Sequence, residues 1–360
     1  IGRYTEELTR ELIATAPRGC EVVGFVPASP EPIYDSILER LPGLARLHKS
    51  PLDRRQLALA WQGGITSLPK NEMIHAPSLM APLRSHDRLH HGTQIVATIH
   101  DTVPWSAPET LTRRGAAWHR DLAQRAKRHA DAIVVPTHAV AAQLTEFVDF
   151  GDRVRVIGGA PSSAMRLPDD ADERAERLGL PERYVAAVGT IEPRKGLDLL
   201  IAAMALETAP DVALVVAGPP GWGGVNLADL AASAGLAPER LIVLGYIDDA
   251  DLAVVLHRAT VFAFPSRAEG FGLPVIEAMQ LGTPVVHTDV PAVLEVASDA
   301  GRCVPLLPAD DFAERLAAEL ALVAGDETLA TELSVRGADR AQAFSWRHSA
   351  EKVWQLHADL

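Results

Sequence analysis

The chain is poor in cysteine: Cys20 and Cys303 are its only two, far apart and without metal-ligand neighbours. That excludes a disulfide framework and gives no sign of a zinc site. No apolar run reaches the roughly 18 residues needed to span a bilayer. A basic surplus is also missing. With 34 Lys/Arg against 47 Asp/Glu the net charge is −13, which argues against nucleic acid as a partner. No G-x-G-x-x-G with an acid about 20 positions on is found, which disfavours a Rossmann dehydrogenase. No signal peptide is read and a cytoplasmic protein is expected, although the chain opens on Ile1 and its natural start is expected upstream.

The content fits two α/β domains. The 360 residues are 48% hydrophobic, enough to bury a core in each of two domains of about 150 residues. Short apolar runs alternate with helical stretches, the pattern of parallel βαβ units with ligands at the strand C-terminal ends. Residues 1–180 hold 22 Lys/Arg and 22 Asp/Glu, whereas 181–360 hold 12 and 25. Against that acidic second half the pair Arg194-Lys195 stands out. It follows the apolar run Tyr184–Val188 and the break Gly189-Thr190, just ahead of a helix expected from Leu197 to Met204. Two cations there oppose the helix dipole unless an anion neutralises them. A diphosphate would do so, with Arg as a fork and Lys as a point charge; two solvated cations read equally well.

The most specific stretch is E-G-F-G-L-P-V-I-E, Glu269 to Glu277. Val261–Phe264 before it reads as a buried strand, Gly270 and Gly272 permit a tight turn and close approach to a ligand, and Pro274 opens a helix. Either glutamate alone reads as structural, Glu277 as a first-turn carboxylate favoured by the helix dipole. The whole nonapeptide asks for more than a cap, and backbone N–H groups at such a turn suit oxygen-rich ligands.

This stretch resembles the E-x7-E motif of the retaining glycosyltransferases of the GT4 family, which have the GT-B fold: two Rossmann-like doubly wound domains facing across a cleft. The resemblance implies that Glu277 holds the ribose of a sugar nucleotide, that Glu269 lies by the transferred sugar, and that Gly270, Phe271, Gly272 and Leu273 line the donor. V-G-T-I-E-P-R-K-G resembles the family's phosphate loop, with Gly189 and Thr190 beside the donor and Lys195 on the diphosphate. Many relatives carry Arg where this chain has Thr190, so Arg194 is expected to take that contact. Leu244–Asp248, with Tyr246, resembles the segment that reads the base.

In the first half, I-G-R-Y matches the end of the family's glycine-loop opening. Gly2 is what remains of the donor contact there, and the preceding strand and most of the loop are expected to be missing. Gln94–Ile99 reads as a strand ending in His100-Asp101. A lone histidine is often a satisfied core residue, but V-A-T-I-H-D-T-V-P resembles the family site, implying that His100 touches the donor sugar. Asp101 is either an acceptor ligand or a helix cap. Thr137 is expected to cap the helix near His138. The cations Arg113, Arg114, Arg120, Arg125, Lys127 and Arg128, near Trp105 and Trp118, form a solvated face or an approach to an anionic membrane. Gly158–Leu180 has the composition of a linker. The expected domains are 1–165, 166–345 and a terminal helix, 346–360, with Trp346, Ala350, Val353 and Trp354 on one face, which the resemblance returns to the first domain.

The implied activity is transfer of a sugar, by preference mannose from GDP-mannose, to a glycan or lipid-linked acceptor. It would proceed by front-side displacement without metal or cofactor, no Asp-x-Asp metal clamp being evident. UDP-glucose or UDP-N-acetylglucosamine donors, a fold-sharing epimerase or phosphorylase, and a non-catalytic sugar-nucleotide-binding subunit are the alternatives.

Overall fold

The computed structural model describes residues 1–66, 72–87 and 92–360. They form two compact units, Ile1–Gly159 with Ser345–Leu360, and Ala160–Phe344.

The second unit is one six-stranded parallel sheet. Its strands are β7 (Tyr184–Val188), β8 (Ala213–Ala217), β9 (Leu241–Gly245), β10 (Val261–Phe264), β11 (Val285–Thr288) and β12 (Arg302–Val304), in the order β12-β11-β10-β7-β8-β9. Strand residues alternate between two cores, as a sheet covered on both faces requires. Val185, Ala187, Leu214, Val216, Val261 and Ala263 face one helical layer, built on Leu200, Ile201, Met204, Leu316 and Leu320. Tyr184, Ala186, Val215, Ala217, Phe262 and Phe264 face the other, with Leu252, Val255, Val275, Ala278 and Met279. The order reverses between β7 and β10, and a doubly wound sheet binds ligands at the C-terminal ends flanking that reversal.

The stretch read as a linker is partly helical. Ala171–Arg177 forms a helix with Asp172 and Glu173 in its first turn, where acids suit the dipole. Arg174 and Arg177 hold it to Asp251 at 2.7 and 2.5 Å. Its acidic run thus has a structural use that composition alone does not show.

The first unit holds two separate parallel sheets. One pairs β1 (Val23–Val26) with β2 (Arg46–Lys49); the other runs β3 (Met73–Ala76), β4 (Gln94–Thr98), β5 (Ala132–Val135), β6 (Val154–Val156). Ile95, Ala97, Ile133 and Val135 pack with Leu122, Ala126, Val140 and Leu144. The basic segment forms the helix Arg113–His129. Two of its cations are tied to backbone carbonyls: Arg120 Nε donates to Pro104 O at 2.8 Å and Arg125 Nε to Leu83 O at 2.5 Å. Thr137 caps the next helix, His138–Phe147, accepting from Val140 N. Among the described residues no helix is long and apolar enough to cross a membrane.

The terminal helix, Trp346–Asp359, is capped by Ser345 and packs on the Gly2–Ala14 helix. Its buried stripe is Trp346, Ala350, Val353, Leu356 and His357, while Trp354 is half-buried. Trp346 meets Tyr4 edge-on at 5.4 Å. His357 stands 5.6 Å from His75 of β3, ring to ring, and its Nδ1 donates to Gln94 Oε1 at 2.8 Å. Both ring nitrogens of His75 are buried with no hydrogen-bond partner among the described residues.

Burial, and secondarily the neighbouring His357, lowers His75 to about 3; burial lowers His357 to about 4. The unfolded chain keeps the ordinary histidine value of about 6.5, so below that pH it binds these protons first. Their contribution to stability is therefore intact above about pH 6.5 and lost as pH falls. Urea midpoints should drop between pH 7 and 5, with a slope of up to about 1.4 kcal/mol per pH unit for each site. His75→Leu should flatten that slope; an unchanged slope would refute the pairing as its source.

Candidate functional site

Two loops leave the sheet at its reversal. After β7 the chain passes Gly189 and Thr190 and closes a 3-10 turn, Pro193–Lys195, before Gly196 opens the helix Leu197–Met204. After β10 it runs Pro265-Ser266 toward Glu269. Gly196 joins the two: its φ is 65°, and a Cβ there would stand 2.1 Å from Pro265 O. Only glycine permits both the left-handed backbone and the contact. The stem of Lys195 lies over Gly189, whose added Cβ would meet Lys195 Cε at 3.3 Å.

That seating brings Lys195, Arg194 and Glu269 together. Lys195 Nζ is 2.6 Å from Glu269 Oε1, and Arg194 Nη1 is 2.9 Å from Oε2. Ser266 Oγ donates to Oε1 at 2.9 Å. Arg194 also bonds Glu192 Oε1 at 2.8 Å and Ala268 O at 2.8 Å. Burial by itself would raise the Glu269 carboxyl, but the charges of Lys195 and Arg194 and the bonds from Lys195 and Ser266 hold it below the usual carboxylate value. Of the two readings left open for this cation pair, solvated cations do not describe it: Glu269 pairs with both and Glu192 with Arg194.

The rest of the motif follows. Gly272, with φ 93°, is the N-cap of the helix Leu273–Gln280, and Pro274 lies in its first turn. Phe271 is half-buried, edge-on to Phe344 at 5.7 Å. Glu277 corrects the sequence reading: it is the fifth residue of the helix, past the first turn, and only 1% exposed. A dipole-stabilised surface carboxylate therefore does not describe it. Thr190 is half-buried, and Tyr246 is largely exposed beside Gly245.

Sequence reasoning missed the loop after β8. Gly218–Gly224 lies against the phosphate-type loop: Ile191 bridges Pro220, and Gly221 N donates to Ile191 O at 3.0 Å. A Cβ on Gly218 would reach 2.0 Å from Gly189 O, and one on Gly221 would reach 2.6 Å from Thr190 Cγ2. The run G-P-P-G-W-G-G was the available signal, since its glycines are spaced for repeated close approach. Ser266 and Glu192 were also missed; neither has a signature outside the fold.

In the first unit, His100 follows β4 and its Nε2 lies 2.7 Å from Pro77 O. The carbonyl can only accept, so Nε2 carries the proton and Nδ1 the lone pair. Burial lowers its pKa, and Tyr4 stands edge-on at 4.7 Å. Asp101 Oδ1 accepts from Val103 N at 3.0 Å, at the start of the short helix Val103–Ser106, whose N-cap is Thr102. Gly2 opens the Gly2–Ala14 helix with nothing within 4 Å of an added Cβ. The spelling Asp-x-Asp does occur, at Asp170–Asp172 and Asp249–Asp251. Asp170 and Asp251 bind Arg174, and Asp172 binds Arg258.

The fold of the chain is that of the GT-B glycosyltransferases. Residues 1–160 match Glycosyltransferase Family 4 and residues 169–339 match Glycosyl transferases group 1; the chain belongs to the GT4 family of glycosyltransferases. It is 26% identical to O-antigen chain mannosyltransferase B of Escherichia coli, over 97% of this chain and 93% of that protein. It is 36% identical to D-inositol 3-phosphate glycosyltransferase of Nocardia farcinica, over 63% of this chain and 54% of that protein. HepE of Anabaena, solved with UDP and glucose, shares the fold at TM-score 0.73 and 20% identity, covering 99% of this chain and 96% of that one.

Gly196→Ala tests the seating of the cation loop. The left-handed backbone alone costs about 1–2 kcal/mol, and the clash with Pro265 adds to it. A lowered melting point together with a lost Lys195–Glu269 contact in a crystal structure is expected; an unshifted melting point would contradict the geometry.

Proposed function

We propose that the protein is a retaining mannosyltransferase that takes mannose from GDP-mannose and passes it to a glycan or lipid-linked hydroxyl. The observation that carries the donor-site assignment is the Lys195–Arg194–Glu269 cluster at the sheet reversal. Two cations already set against a carboxylate are spaced to take phosphate oxygens instead. As the sugar C1–O bond breaks, charge develops on the departing diphosphate, and Lys195 and Arg194 would stabilise it. The acceptor oxygen attacks from the same face and its proton goes to the leaving phosphate oxygen, so no enzymic nucleophile is needed. Glu277 would hold the ribose hydroxyls, and the turn at Gly270–Leu273 the sugar. His100 and its Nδ1 lone pair would serve the sugar hydroxyls. The reaction needs no metal in this reading.

The mannose preference rests on similarity to the E. coli O-antigen mannosyltransferase along nearly the whole chain. A second reading, transfer to a phosphorylated cyclitol, is favoured by the higher identity to the inositol-phosphate enzyme over part of the chain.

Incubation with a panel of nucleotide sugars, with and without EDTA, tests the proposal. Release of GDP from GDP-mannose, unaffected by EDTA, is expected; release of UDP from UDP-sugars alone would overturn the donor. Lys195→Ala should lower kcat/KM by about 10²–10³, the range for a lost charge-stabilising group. Glu277→Ala should act mainly on donor affinity. Near-wild-type values in both would remove the assignment.

A further inference from the structure

A cavity in the first unit lies at the sheet end opposite His100. It encloses about 530 Å³ between the approaches to β5 and β6. That is within the range of roughly 300–1,000 Å³ typical of small-molecule sites.

Its wall is rich in guanidinium groups: Arg128, Arg153 and Arg155 all line it, with His129 and His86. Arg153 is structurally committed, donating to Phe150 O at 3.1 Å, Ala130 O at 2.7 Å and Lys127 O at 2.9 Å. It thereby caps the last carbonyls of the Arg113–His129 helix, so Arg128 is not needed for that purpose. His86 is committed too, with Asp131 Oδ2 at 2.8 Å and Arg84 O at 3.0 Å.

Arg128 and Arg155 remain. Arg128 has no hydrogen-bond or ion-pair partner among the described residues, and Arg155 bonds only the carbonyls of Asp152 and Val154, through Nη1. Burial, then Arg125, Arg128 and His86, hold the His129 imidazole below its usual pKa. Asp152 and the last residue, Leu360, complete the wall. Asp131 is already bonded to His86 and to Ile95 N at 2.7 Å. A dianion with oxygens in bidentate reach of two guanidinium groups is what such a surface recognises.

We propose that this cavity binds a small soluble phosphate-bearing anion through Arg128 and Arg155, independently of the site at Lys195. The free carboxylate of Asp152 limits its affinity. The consequence is a second phosphate site in a unit that does not contain the cation pair assigned to the donor.

Calorimetric titration of the full chain with inorganic pyrophosphate tests this. In Lys195→Ala protein one saturable site should persist. Adding Arg128→Ala and Arg155→Ala should weaken it at least about tenfold, the loss expected for charge-assisted bonds; Asp152→Asn should tighten it. Absence of saturable binding in Lys195→Ala protein, or affinity indifferent to the arginine changes, would overturn the proposal. A measurement on the unmutated chain guards against misfolded variants. Pyrophosphate should shield the peptides bearing Arg128 and Arg155 from phenylglyoxal, and equal modification with and without it would also refute the site.

Discussion

A buried carboxylate gripped by two cations organises the second unit. Glu269 comes from the loop after β10, Lys195 and Arg194 from the loop after β7, and these are the strands at which the sheet reverses. Burying such charges is unfavourable unless they are paired and hydrogen-bonded; here Ser266, Glu192 and Ala268 O supply the remaining bonds. The seating depends on backbone contacts that only glycine allows. Gly196 against Pro265 closes one side, and Gly218 and Gly221 against the Gly189–Ile191 segment close the other. The electrostatics are thus held by sterics, because any side chain at these glycines would push the cations away from the acid.

Much of this was legible from the chain alone, since the signals were local. The apolar runs Tyr184–Val188 and Val261–Phe264 marked β7 and β10, and Pro274 marked the start of the Leu273–Gln280 helix. Arg194-Lys195 was conspicuous because its position ahead of a helix required an anion. What sequence could not reveal was which anion answers it in the free protein, since Glu269 lies 74 positions away and only the parallel pairing of β7 with β10 brings it near. At Asp101 too the fold adds what the sequence could not show, a hydrogen bond from Val103 N. Glu277 was placed in the first turn because the proline was taken as the helix start, whereas the helix begins one residue earlier and burial follows from packing on both sides.

Loops that meet other loops were the least legible. The Gly218–Gly224 segment has no period, and its glycines report contacts with residues about 30 positions earlier in the chain. The acidic stretch before β7 reads as a linker by composition, yet Asp251 holds its arginines and makes a helix of it. Similarly, Arg120 and Arg125 belong by sequence to one cationic face, but each is tied to a backbone carbonyl.

The Glu269 pairing also decides how the site looks from far off. Residues 181–360 carry an acidic surplus, 25 Asp/Glu to 12 Lys/Arg, and the two cations at the sheet reversal are balanced by two carboxylates, Glu269 and Glu192. An anion entering from solvent would meet the field of that surplus and would gain the two cations only by displacing Glu269 from them. Exchange of one anion for another is a short-range event, so moderate salt, which screens the distant acids, would hinder such an encounter less than at a surface whose cations stand unpaired.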